Sequence, residues 1–211
     1  WRMAEDGEAI RNVAGMNPDK LAALKTWLLE SDQRDFAAVV IRRGFIVLEV
    51  ERGNSAKTDA RRVASVSKAV CATVLSIASE WSQQGRTPRK MAFNDPAFQF
   101  IPWAEPLSDP RKAAITVKQL LNHTSGIPSY TDLGPAWIRR WGEEMPPDTI
   151  VALTAKDTMW FRPGTSWRYD NSGYVVLGML VEKLAGRQWA VDVAERFAKP
   201  LGLEDTRSCD T

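Results

Sequence analysis

Apolar residues along the chain recur at helical spacing in several stretches and crowd into two short β-type runs between the first two of them. Leu21, Leu24, Leu28 and Leu29 fall on one side of a segment from Asp19 to about Glu30, with Pro18 near its start, predicting an amphipathic helix. Phe36 to Ile41 and Phe45 to Val50 are β-rich runs joined at Arg43-Gly44, which predicts a hairpin, and residues 53 to 62 read as polar loop. Val70, Val74, Ile77 and Trp81 then mark a helix from about Ser65 that ends at Gly85, apolar enough to be enclosed on most sides. Val176, Leu177, Leu180 and Leu184 lie inside a helix from Ser172 to about Ala185, closed by Gly186. A last helix spans about Gln188 to Ala198 and is stopped by Pro200.

The stretch between the two strongest helices has a different texture. From Arg86 to about Phe161 it is rich in proline and tryptophan, predicting short helices and long connections. The organisation is therefore an α/β body with an inserted helical lobe. Residues 1–85 hold the first part of the body, 86–161 the lobe, and 162–211 a return segment with further helices of the body.

Composition changes this picture little. Of 211 residues, 44% are hydrophobic and 26% charged, which permits a real core. A net charge of +2 gives no case for nucleic acid or an anionic membrane surface, and no apolar run is long enough to span a bilayer. Two cysteines, Cys71 and Cys209, make no disulfide framework, and with a single histidine there are too few ligands for a zinc site. Cys71 reads as a buried small hydrophobe. Among nine tryptophans, Trp137 and Trp141 are the candidates for a groove wall.

Candidate chemistry begins at Ser65-Val66-Ser67-Lys68, where a hydroxyl and an amine stand three residues apart at a helix entrance. Positions i and i+3 share a helix face, so the two groups can meet. The positive end of the helix dipole favours an oxyanion and an unprotonated lysine there. A serine needs a neighbouring base to become a nucleophile, and this turn would carry its own. Ser-x-x-Lys alone is a common pattern and equally describes an N-cap serine with a solvated lysine. A second element, Tyr169-Asp170-Asn171, sits between the Pro163-Gly164 turn and a helix start, with Asn171 or Ser172 as its N-cap. A phenol near a lysine can share its proton, and an amide can hold the lysine and a substrate carbonyl. His123 ends a short helix begun by Thr116, with Gln119 completing a capping box, and it reads as a loop organiser rather than a general base. No Gly-x-Ser-x-Gly elbow is present.

At these residues the chain resembles the serine β-lactamase and penicillin-binding-protein superfamily, in its class C β-lactamase and esterase-like branch. Thr116 to Gly126, Phe161-Arg162-Pro163-Gly164-Thr165 and Pro200-Leu201-Gly202-Leu203 are similar to further landmarks of that branch. The resemblance runs from about Pro18 onward. It implies a β-lactamase/transpeptidase-like α/β (α+β) fold, an antiparallel sheet flanked by helices plus the helical lobe.

The resemblance also implies a serine hydrolase that forms a covalent acyl-enzyme with small ester, amide or β-lactam substrates and uses no cofactor or metal. Ser65, Lys68 and Tyr169 would be catalytic, with Asn171 binding substrate. Location would be periplasmic or secreted. The family's third motif, Lys or His followed by x-Gly, is not matched after Asn171. That leads to the expectation that the C-terminal strands, which would pair with the hairpin, come from a missing C-terminal part of the same protein or from a second chain. These residues alone are then expected to be inactive. The alternative is a penicillin-sensor-like or degenerate module that is acylated without turnover.

Overall fold

A computed structural model describes residues 2–31, 33–53, 61–104, 106–133 and 145–208. The chain divides into two compact units, Trp1–Arg62 and Val63–Thr211.

In the first unit, strand β1 (Arg2–Met3) is followed by helices α1 (Gly7–Asn12) and α2 (Pro18–Glu30), then strands β2 (Phe36–Arg42) and β3 (Phe45–Arg52). Helix α2 starts where proline favours it, with Asn17 Oδ1 accepting from the Asp19 and Lys20 amides. The hairpin turns at Arg43 and Gly44, both at positive φ (51° and 80°), the backbone that matches the twist of paired strands. The expected antiparallel pairing is that of β2 with β3, and β1 adds to β3 in parallel, giving the order β1-β3-β2. A two-residue strand is too short to show an alternating pattern in sequence. Ala4, Ala14, Leu21 and Val47 form this unit's core, while Leu29 of the expected apolar face is exposed.

The second unit is helical. A 3-10 turn, Ala64–Val66, leads into α3 (Ser67–Gln83). Four short 3-10 turns and helix α4 (Val117–Leu121) follow, then α5 (Pro147–Lys156), α6 (Ser172–Ala185) and α7 (Trp189–Val193). The buried stripe of α3 is Cys71, Val74, Leu75, Ala78, Ser79 and Ser82, so Val70, Ile77 and Trp81 flank it rather than centre it. The two serines are buried because each finds a backbone partner. Ser79 Oγ and Ser82 Oγ donate to the Met91 carbonyl, and the Met91 amide donates to Ser82 Oγ. Opposite this stripe, Val176, Leu177, Leu180 and Leu184 of α6 are fully buried.

One further expectation changes in detail. After α7 the chain continues as a π-type turn, Ala194–Ala198, and a 3-10 turn, Lys199–Leu201, rather than one regular helix ended at Pro200. Proline has no N–H for the carbonyl four residues back, so the ladder loosens around it before Gly202 (φ 64°) closes it. In the lobe, the wholly buried Lys112 amine donates to the carbonyls of Thr154 and Ala155, and to that of Asp157. It thereby caps the C-terminus of α5. No described helix is long and apolar enough to cross a membrane.

Candidate active site

Ser65 sits in the 3-10 turn ahead of α3, not in the α-helix itself. Lys68 follows three residues later, in the first turn of α3, where i and i+3 share a face, and its Nζ stands 3.4 Å from Ser65 Oγ. Ala64 just before Ser65 has a φ of 45°, a left-handed conformation that non-glycine residues seldom adopt. Of the two residues between Ser65 and Lys68, Val66 is exposed to solvent.

The second element arrives from the stretch before α6. Tyr169 Oη lies 2.7 Å from Ser65 Oγ. Asn171 Oδ1 accepts from Lys68 Nζ at 2.7 Å. The amide's orientation follows from its other end, because Asn171 Nδ2 donates to Thr131 Oγ1 at 3.2 Å and an ammonium can only donate. The backbone amide of Asn171 donates to Ser129 Oγ at 3.0 Å, and the Tyr130 amide donates to Ser172 Oγ at 2.8 Å. Ser65, Lys68, Tyr169 and Asn171 thus meet in one place, from two segments a hundred residues apart.

Neither Asn171 nor Ser172 caps α6 with its side chain. Asp170 Oδ1 does so instead, accepting from the Gly173 amide at 2.6 Å. Gly173 must be glycine for this, since a Cβ there would stand 2.7 Å from that oxygen. The cap leaves Asn171 free to face Lys68. His123 Nδ1 lies 3.3 Å from Asp170 Oδ2, and among the hydrogen bonds of the described residues His123 has none to Ser65. Trp137 and Trp141 lie outside the described residues.

Two phenols flank Lys68, and their surroundings push them apart. The nearby Lys68 amine, and then the bond to Ser65, hold the Tyr169 phenol below its ordinary value. Burial, with Cys71 and Asp170 adding to it, pushes Tyr174 up, and its hydroxyl donates to the Leu121 carbonyl at 3.0 Å. The two phenols beside Lys68 are thus shifted in opposite directions. Asp170 is also pushed up, by burial. Cys71, behind the lysine, is pushed up to about 12 by burial, which keeps it in the unreactive thiol form. Ser65, Lys68 and Asn171 line one end of a cavity of about 460 Å³ that continues past Cys71, Met179 and Trp189.

Ser129, Thr131 and Tyr174 belong to none of the sequence motifs, and Asp170 stands within the Tyr169-Asp170-Asn171 element with no role of its own evident there. A carboxylate three residues before Gly173 was a legible capping signal. The partners from 129 to 131 carried none, because their bonds to Asn171 span about forty residues of chain. Among the described residues, no group of His, Cys, Asp and Glu could hold a metal ion.

A family model described as Beta-lactamase matches residues 32–208. The chain belongs to the β-lactamase family. Its small sheet and many helices form the β-lactamase-like α/β fold. Similar proteins include penicillin-binding protein 4* of Bacillus subtilis (strain 168), 32% identical over 98 residues, or 44% of this chain and 21% of that protein. Esterase EstB of Burkholderia gladioli is 28% identical over 178 residues, covering 79% of this chain and 43% of the esterase. Among solved structures, a D-stereospecific amidohydrolase from Streptomyces is 34% identical with a TM-score of 0.60, covering 74% of this chain and 46% of that one. This β-lactamase-family chain thus spans less than half the length of each of these relatives, and hydrolases stand among them.

Proposed function

We propose that the chain carries the acylating centre of a serine hydrolase acting on small ester, amide or β-lactam substrates. The observation that carries this reading is one hydroxyl, Ser65 Oγ, held 2.7 Å from a phenol oxygen and 3.4 Å from an amine that Asn171 anchors. Tyr169 Oη is the nearer acceptor, so in the reacting form it serves as phenolate and immediate base, with the Lys68 amine beside it. The Ser65 proton moves to Tyr169 Oη as Oγ attacks the carbonyl carbon. The carbonyl oxygen becomes an oxyanion, for which the Ser65 amide is one donor. When the tetrahedral species collapses, Tyr169 returns the proton to the departing alcohol or amine. A water then attacks the acyl carbon while giving its proton to Tyr169; as the second tetrahedral species collapses, the bond to Ser65 Oγ breaks, Oγ takes that proton back from Tyr169, and the acid is released.

The cavity supports this substrate class. Its walls at Cys71, Val175, Met179 and Trp189 are apolar, suited to a small acyl group. Relatives described as an esterase, an amidohydrolase and a penicillin-binding protein span the same range of carbonyl chemistry. The test is a substrate panel of nitrocefin, p-nitrophenyl butyrate and D-alanyl amides with the complete protein that contains this chain and its Ser65→Ala variant. Turnover of at least one substrate, lost in the variant, is expected. Equal turnover by both proteins would overturn the reading.

A further inference from the structure

Tyr169 precedes α6 by three residues and is 40% exposed, so the helix alone does not fix its ring. The stretch that carries it is held by His123 at three points. The His123 carbonyl accepts from the Arg168 amide at 3.0 Å. Its ring Nδ1 accepts from the Asp170 amide at 3.2 Å and lies beside Asp170 Oδ2. Its ring packs on the Tyr169 ring, with centroids 4.6 Å apart, and also meets Tyr174 at 5.3 Å. The residues before and after the phenol, and the phenol itself, therefore all rest on one histidine.

From this geometry we infer that His123 is the positioning residue for Tyr169, fixing where the phenol oxygen stands against Ser65. The inference rests on the acyl-transfer reading given above. His123 is itself well anchored. It follows α4, whose Val117 and Leu120 are fully buried, and whose start is fixed by the Thr116–Gln119 capping box. Beyond it, the Trp160 amide donates to the Gly126 carbonyl and the Gly164 amide to the Thr124 carbonyl, both at 2.8 Å. The position also demands this residue type. It needs a left-handed backbone (φ 58°), an in-plane acceptor next to Cγ, and a flat aromatic face. Asparagine offers the first two, and phenylalanine only the last.

Two variants split these functions. His123→Asn keeps the backbone conformation and the acceptor but removes the face, while His123→Phe keeps the face and removes the acceptor. Each is compared with the unaltered full chain by titrating tyrosines in ¹³C-tyrosine-labelled protein, with Tyr169→Phe assigning the signal. Acylation kinetics are recorded alongside. The unaltered protein is expected to titrate Tyr169 below an ordinary phenol. Both variants should bring it back up and lower kcat by ~10²-fold with KM unchanged, the size of effect that about 1 Å of misplacement causes. Thermal melts check that each variant is folded, and the one that keeps its fold suffices. An unmoved Tyr169 titration in a folded variant overturns the inference, as does a rise in KM at constant kcat. The titration needs no turnover. Should the unaltered protein fail to hydrolyse any substrate, the functional reading falls while the titration still judges His123.

Discussion

Replacing Tyr169 by phenylalanine removes one oxygen and, on this account, the immediate base. That oxygen forms the shortest contact to Ser65, 2.7 Å, against 3.4 Å for Lys68 Nζ. A positioned general base contributes about 10²–10⁴ in rate, equivalent to ~2.7–5.4 kcal/mol of barrier. Stability should barely respond. The hydroxyl lies in a partly exposed residue, and the ring would keep its packing on His123 and Lys68. Substitutions of that kind stay within about 0.5 kcal/mol. The assay is the second-order rate of fluorophosphonate labelling across pH, with a urea melt on the same sample. The phenolate is the active form, so the unaltered protein should label faster as pH rises, levelling below an ordinary phenol because Lys68 holds Tyr169 down. Tyr169→Phe should lose that rise along with the rate. Labelling at the original rate and with the original pH profile would refute Tyr169 as the base and return the role to Lys68.

Other outcomes follow from the same contacts. Lys68→Met removes the main cause of the depressed Tyr169 phenol, so whatever labelling survives should begin its rise at higher pH; a profile that stays in place contradicts the pairing. Gly126→Ala would put a Cβ 2.2 Å from the Phe161 carbonyl oxygen at a φ of 81°, and a urea melt should show about 1–3 kcal/mol of lost stability. Cys71, with its thiol near 12, should resist maleimide in the folded protein and react once unfolded, as read by peptide mapping; rapid native modification would show that the helix face behind Lys68 is open.

Much of this arrangement was legible because local chemistry marked it. The Arg43-Gly44 hairpin, the Thr116–Gln119 capping box and the α6 stripe each follow from residues within a few positions of one another. The four candidate residues could be named because each pair lies within one short segment. What escaped depends on long-range backbone bonds. Ser79 and Ser82 look polar on a helix yet are buried against Met91, which rotates the stripe of α3 away from the pattern. β1 gains its identity from β3, more than forty residues later. His123 was read as a loop organiser, and the loop it organises is the one bearing Tyr169, a relation fixed only by contacts across some forty-five positions.

The most direct measurement is to treat the full chain with a fluorophosphonate, determine its intact mass, and map the adduct by peptide sequencing. The account expects a single adduct, on Ser65, absent from Ser65→Ala and slowed in Tyr169→Phe. An adduct on any other residue, or undiminished labelling of Ser65→Ala, would contradict it.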